Sequence, residues 1–316
     1  MAEDYIFTEN MTVGYGKMPL IAQIEIHVKR GQIVTLIGPN GAGKSTILKS
    51  IIRQIDLLEG AVYLDRASMK DMTEKQVARR MSVLMTERIR PELMTCEDVV
   101  ATGRYPYTGR LGILGREDRE KVREAMELVH AGDLGGRDFM EISDGQKQRI
   151  LLARAICQEP EAIVLDEPTS FLDIRHKLEL LTILKDLVRE KQVAVLMSLH
   201  ELDLAQKLSD YIVCVNGDTI ERLGTPEEIF TSSYITQLYG ISKGSYHAEL
   251  GCLEMEPVKG KPEVFVIGGN GSGIPVYRKL QRRGIPFAAG IIHENDIDYP
   301  VARALAAEVV SEAPFE

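Results

Sequence analysis

A chain of 316 residues can bury a large core and holds one domain with an appendage, or two domains. Its 44% hydrophobic and 27% charged residues are ordinary for a globular protein, and a net charge of −9 excludes an overall basic face for nucleic-acid phosphates, so no nucleic-acid partner is expected. Apolar runs such as 193–199 fall far short of the about 20 residues that cross a membrane, and Met1-Ala2-Glu3-Asp4 lacks the basic opening of a signal peptide. Cys96, Cys157, Cys214 and Cys252 form no C-x-x-C pair. A soluble protein of a reducing compartment is the expectation, with neither zinc site nor disulfide framework.

From Tyr5 to Val28 the residues alternate as in strands, broken by Gly14-Tyr15-Gly16 and Pro19. Tyr15, in a glycine-flanked turn, suits either stacking on a base or a half-buried strand position. The apolar run 33–37 leads into Gly38-Pro39-Asn40-Gly41-Ala42-Gly43-Lys44-Ser45-Thr46, and Ile47, Leu48, Ile51, Ile52 and Ile55 follow at helical spacing. This fits G-x-x-x-x-G-K-[ST] between a strand and a helix. Its glycines let phosphate oxygens reach backbone N–H groups at a positive helix end; Lys44 is placed for β- and γ-phosphates, and the Ser45 hydroxyl for Mg²⁺. Residues 60–65 read as a hairpin strand, Thr73 to Gln76 as a capping box, and 81–85 as another strand.

Helical periodicity dominates from about 94 to 158, interrupted by the turn-rich stretch 103–109. This inserted helical subdomain ends in Ser143-Asp144-Gly145-Gln146, either a helix cap or a second anion site. The apolar strand from Ala162 ends in Asp166-Glu167, placed to hold Mg²⁺ and to polarise an attacking water. Residues 178–188 form an amphipathic helix, 193–198 a buried strand, and His200 stands at the ligand edge of the sheet. Residues 211–222 read as a hairpin whose Asn216-Gly217 suits a type I′ turn.

In this order the motifs resemble the ATP-binding cassette (ABC) ATPases over Tyr5 to about Gly240. The resemblance implies a P-loop α/β core with an antiparallel β subdomain and the helical insert. It implies that Tyr15 stacks on adenine, that residues 38–46 bind ATP, and that Glu167, His200 and Lys44 are catalytic. Ser45 and Asp166 then hold Mg²⁺. Ser143, Gly145 and Gln146 contact the ATP of the opposite subunit of a homodimer, and residues 170–173 link the two sites. Thr102 to Tyr107, Ala205 to Asp210 and Gly224 to Glu228 are most similar to the ATPase subunits of importers for iron-siderophore, haem or cobalamin. Such subunits sit peripherally on the cytoplasmic face of the membrane and work with integral-membrane permeases and an extracytoplasmic substrate-binding protein.

Two positions depart from the family. Thr86 stands for the usual Gln, so a further metal contact there is expected to be weak or water-mediated; Asp144 replaces a glycine, with activity expected to be retained. A soluble cassette ATPase, or a nucleotide switch uncoupled from transport, is the alternative reading. The expected domains are a cassette over 1–242, a linker over 243–262, and a small β-α-β-α appendage over 263–316. The appendage's run Gly268 to Gly273, with Glu294 after the second strand, suggests nucleotide sensing or a packing role.

Overall fold

The computed structural model describes residues 4–85, 91–109, 112–248 and 250–313. The chain divides into two compact units, Met1–Pro226 and Glu227–Glu316. The first opens with β1 (Asp4–Tyr15), β2 (Met18–Ile24), β3 (His27–Lys29) and β4 (Ile33–Ile37), then α1 (Lys44–Ile51), β5 (Glu59–Leu64), β6 (Ala67–Ser68), α2 (Glu74–Arg80) and β7 (Met81–Leu84). The insert carries α3 (Cys96–Ala101), α4 (Arg116–Leu128) and α5 (Asp144–Cys157). After it come β8 (Ala162–Asp166), α6 (Ile174–Lys191), β9 (Ala194–Ser198), α7 (Leu202–Leu208), β10 (Tyr211–Asn216) and β11 (Thr219–Gly224).

The six-stranded sheet runs β11-β10-β4-β9-β8-β7, with every neighbouring pair parallel except β10 and β11. Every residue of β4, β8 and β9 is buried, as a parallel sheet covered on both faces requires. Strands β1, β2, β5 and β6 form the antiparallel layer, with β3 also paired to β1. Helix α1 places Ile47, Leu48 and Ile51 in one core with Val34, Val164 and Leu196 of the first sheet and Ile21, Ile24 and Val62 of the second. Each such side chain contributes about 1.5–3 kcal/mol by leaving water. Because Ser198 pairs with both Leu36 and Asp166, β4, β8 and β9 end at one level and deliver their following loops to one edge.

At the tip of the last hairpin, Asn216 pairs with Thr219, so the loop is Gly217-Asp218. Only Gly217 has positive φ, which corresponds to the II′ arrangement rather than the expected I′.

Arg104 fixes the insert. Its guanidinium, 4% exposed, donates to Asp118 at 3.0 Å, Glu159 at 2.9 Å and the Cys157 carbonyl at 2.9 Å, and lies 4.1 Å from the Tyr107 ring centroid. Beside it, a Cβ on Gly103 would stand 2.4 Å from the Arg154 carbonyl oxygen, so only glycine lets the backbone pass α5 this closely.

The second unit begins within α8 (Pro226–Ile229) and contains α9 (Ser232–Leu238), β12 (Ser245–His247), β13 (Cys252–Glu254), β14 (Val264–Val266), α10 (Gly273–Arg282), β15 (Phe287–His293), α11 (Tyr299–Leu305) and β16 (Glu308–Glu312). Two expectations change here. The 243–262 stretch, read as a linker, contains the antiparallel pair β12–β13: Tyr246 is buried, and Glu254 accepts a 3.0 Å bond from Arg278 of α10. The compact unit accordingly begins before that stretch. The appendage, expected as β-α-β-α, does not end on its second helix: α11 stops at Leu305, and a third parallel strand makes it β-α-β-α-β in the order β14-β15-β16. Its core joins Val266, Tyr277, Phe287, Ala289, Val301 and Leu305, with the Tyr277 and Phe287 rings stacked 5.3 Å apart.

Replacing Arg104 by Met takes one donor from each of two carboxylates and from a carbonyl, so urea unfolding should show a loss of about 3 kcal/mol, the low end for a buried pair because Glu159 is partly exposed and both carboxylates keep another donor. The Asp118 carboxyl is held below its usual range by the Gly115 N–H and by Arg104. Burial alone raises Glu159, but the bonds from Lys121 and Arg104 outweigh it and lower the group. Depressed carboxylates stabilise the fold above their unfolded values, about 4, and lose that contribution as pH falls through the folded ones. The deficit of Arg104→Met should therefore shrink between about pH 5 and pH 3; a constant deficit would contradict this account.

Candidate nucleotide site

The loop after β4 needs its glycines. Gly38, Gly41 and Gly43 have φ of 146°, 80° and 97°, and a Cβ on Gly38 would stand 2.0 Å from the Val215 carbonyl oxygen. Gly43 is the N-cap of α1, and no side chain caps the helix or places an acid in its first turn, leaving its leading N–H groups for an anion. Lys44, 5% exposed, donates to the carbonyls of Gly38 at 2.7 Å and Pro39 at 2.9 Å. Burial pushes its amine below the usual lysine range, with Glu167 and Asp166 opposing that shift. A phosphate arriving here would restore what desolvation takes from the ammonium.

Asp166 closes β8, 3% exposed. Its Oδ1 accepts from Ser45 Oγ at 3.0 Å and from Ser198 Oγ at 2.7 Å. Ser198 Oγ in turn accepts the Glu167 backbone N–H at 3.0 Å, and Glu167 sits in the left-handed region with φ of 48°. The Glu167 carboxylate pairs with His200 through Oε1 and accepts from Ser170 Oγ at 3.1 Å through Oε2. Lys44, Ser45, Asp166, Glu167 and His200 thus meet at one sheet edge. Ser198 is a member that the sequence did not single out; its signal was a hydroxyl ending an otherwise apolar strand, two residues before His200.

Tyr15 stands at the flank, 61% exposed, with its hydroxyl 3.1 Å from Thr46 Oγ1. Ser143, Gly145 and Gln146 are on a different element. Ser143 caps α5 and exchanges bonds with Gln146, so the cap expected of this turn is present. An added Gly145 Cβ would meet Leu172 at 3.6 Å and His176 at 3.8 Å, which places this turn beside the segment that follows Glu167. Thr86 lies outside the described residues.

In the second unit the glycine run has other work. The Asp298 carboxylate, fully buried, accepts from Gly273 N at 2.8 Å and Ile274 N at 3.2 Å, and Asp296 accepts from Asn270 N at 2.9 Å. The anion position at the start of α10 is filled by the chain itself. A Cβ on Gly268 would stand 2.8 Å from Gly273 Cα, so these glycines serve close packing. Glu294 accepts from Ser311 Oγ at 3.2 Å and Tyr299 Oη at 3.4 Å. Self-capping argues against nucleotide phosphates at this loop.

The ABC transporter family matches residues 21–170, and a second family, MJ0874, matches 287–316. The chain is 39% identical over 285 residues to the uncharacterized ABC transporter ATP-binding protein MJ0873 of Methanocaldococcus jannaschii, covering 90% of this chain and 98% of that one. It is 36% identical over 234 residues to the iron(3+)-hydroxamate import ATP-binding protein FhuC of Bacillus subtilis, covering 74% and 87%. The dimeric structure of MJ0796, a bacterial ABC transporter cassette, superposes with a TM-score of 0.63 at 25% identity, covering 70% of this chain and 98% of that one. With identity of this extent over most of both chains, and a phosphate loop, a carboxylate-ended strand and a histidine at one sheet edge, the chain belongs to the ATP-binding proteins of ABC transporters, an ATPase family.

Proposed function

We propose that this protein energises a membrane importer for an iron chelate, as a pair of copies that bind and hydrolyse ATP between them. The observation carrying the hydrolytic part is the unbroken series of bonds from Ser45 through Asp166 and Ser198 to Glu167 and His200. Lys44 moves from its own loop carbonyls to the β- and γ-phosphates, and the leading N–H groups of α1 receive the remaining oxygens. The Ser45 hydroxyl and Asp166 carboxylate are hard oxygen donors that suit Mg²⁺, with phosphate oxygens and water completing its shell. That ion, when bound with ATP, supplies neutralisation of charge on the phosphate oxygens. Glu167 orients the attacking water, held by Ser170 on one oxygen and His200 on the other. Exposed Tyr15 offers its ring to the base.

Ser143, Gly145 and Gln146 address the ATP of the second copy. Asp144 lies in the first turn of α5, where the helix dipole favours its charge, which supports retained turnover despite the missing glycine. Closure of the pair follows from ATP contacts to both copies, since a ligand shifts an equilibrium only by differential affinity. Thr86, as a weak or water-mediated metal contact, belongs to the same reading. No helix among the described residues is long and apolar enough to cross a membrane, so a permease partner provides membrane attachment, with an extracytoplasmic binding protein delivering cargo. The likeness to the iron(3+)-hydroxamate import protein supports the cargo class.

Glu167→Gln should bind ATP, release phosphate at least a hundredfold more slowly, and accumulate as an ATP-dependent dimer in size-exclusion chromatography; a variant that stays monomeric with ATP counts against the sandwich. Ser198→Ala frees Asp166 and the Glu167 backbone at once, so kcat should fall about tenfold with little change in KM, and stability by about 1–3 kcal/mol. Unchanged kcat would show that Ser198 is dispensable for positioning. In cells lacking the protein, uptake of ferric hydroxamate should fail and return with the intact gene but not with Lys44→Ala; loss of haem or cobalamin uptake instead would reassign the cargo.

A further inference from the structure

We propose that Glu201 is a positioning residue of the hydrolytic cycle: its carboxylate ties the turn carrying His200 to both ends of the segment Ser170–Asp173, so that histidine and segment move together. The inference rests on the hydrolytic reading of the site. Glu201 is the N-cap residue of α7, yet its side chain makes no capping bond. A residue in that position ordinarily spends its side-chain oxygen on its own helix. Here one oxygen, Oε2, accepts from Thr169 Oγ1 at 2.9 Å, and the other, Oε1, pairs with Lys177 Nζ in α6. Thr169, 1% exposed, immediately precedes Ser170, and Lys177 lies four residues beyond Asp173. One carboxylate therefore brackets the whole segment.

The pair has the protection such a clamp requires. The side chains of Lys177 and Glu201 are 24% and 28% exposed, so water weakens their attraction less than at an open surface. Burial alone would raise the Glu201 carboxyl, but the bonds from Lys177 and Thr169 outweigh it and hold it below the ordinary glutamate range, charged at neutral pH. The bracketed segment holds Ser170, which donates to Glu167, and Phe171, which is 70% exposed with its backbone in the left-handed conformation at φ of 65°. Glu167 is therefore held twice, by His200 directly and by Ser170, and Glu201 connects the two holders. A shift of the histidine on meeting a terminal phosphate is passed by the next residue to a segment that lies beside the α5 turn, where an added Gly145 Cβ would stand 3.6 Å from Leu172.

The test compares steady-state hydrolysis by Glu201→Gln, Lys177→Met, the double variant and Lys177→Arg, with Glu167→Gln as reference and thermal midpoints recorded. Neither residue is placed to touch nucleotide, so kcat should fall about tenfold in both single variants while KM for ATP stays within about twofold. The double variant should be no slower than the slower single, as expected of one shared interaction, and Lys177→Arg should recover most of the rate. Wild-type kcat in either properly folded single variant, losses that multiply in the double, or a rise in KM that accounts for the change would overturn the proposal. Loss of rate in Glu167→Gln alone would spare the hydrolytic reading while removing this one; full rate in Glu167→Gln would remove the reading itself.

Discussion

The Asp166 carboxylate is the fixed point on which the nucleotide edge depends. It is buried at the end of a fully buried strand, where a charge is costly unless satisfied, and two hydroxyls satisfy it from different elements. Ser45 brings the start of α1, and Ser198 brings the end of β9. Because the same Ser198 oxygen receives the Glu167 backbone N–H, setting the first carboxylate also sets the second. Parallel strands in close register are what allow three loops to share so few atoms, and the layer of apolar side chains between the two sheets holds those strands at that register.

The insert is built by different means. Arg104 satisfies two carboxylates and a helix-end carbonyl from one guanidinium. The Thr102–Tyr107 stretch, part of the resemblance to chelate importers, is thus a structural clamp. It packs on the C-terminal end of α5, while the capped N-terminal end of that helix lies next to the segment after Glu167.

How much of this could be read from the sequence follows from how local each signal is. The loop 38–46 was legible because its glycines and Lys44-Ser45 satisfy one local demand, the backbone cradle at a helix start. Asp166-Glu167 was legible because the phosphate loop stands upstream; alone, two carboxylates ending an apolar strand suit a solvated turn equally well. Ser198 was hidden because a serine at a strand end is chemically ambiguous until the strand beside it is known. The Glu201–Lys177 pair was hidden because the partners are separated in sequence and each looks like an ordinary surface charge. In the second unit, β12 and β13 escaped because Tyr246 is a single buried residue among polar ones, too short a pattern for periodicity. The run 268–273 left sensing and packing both open. Glycine records that backbone must come close to something, and only the structure identifies that neighbour as Tyr277 and Gly273, with Asp298 as the anion.

On the proposed function, Asp166, held by Ser45 and Ser198, completes a metal site together with nucleotide phosphates. The most direct test is Mn²⁺ binding, as a stand-in for Mg²⁺, followed by electron paramagnetic resonance with and without a non-hydrolysable ATP analogue, in the wild type and in Asp166→Asn. Nucleotide-dependent Mn²⁺ binding that weakens at least tenfold in Asp166→Asn, while analogue affinity measured without metal is kept, is the predicted result. Equal Mn²⁺ affinity in the two proteins would contradict the assignment of this carboxylate and with it the organisation of the edge described above.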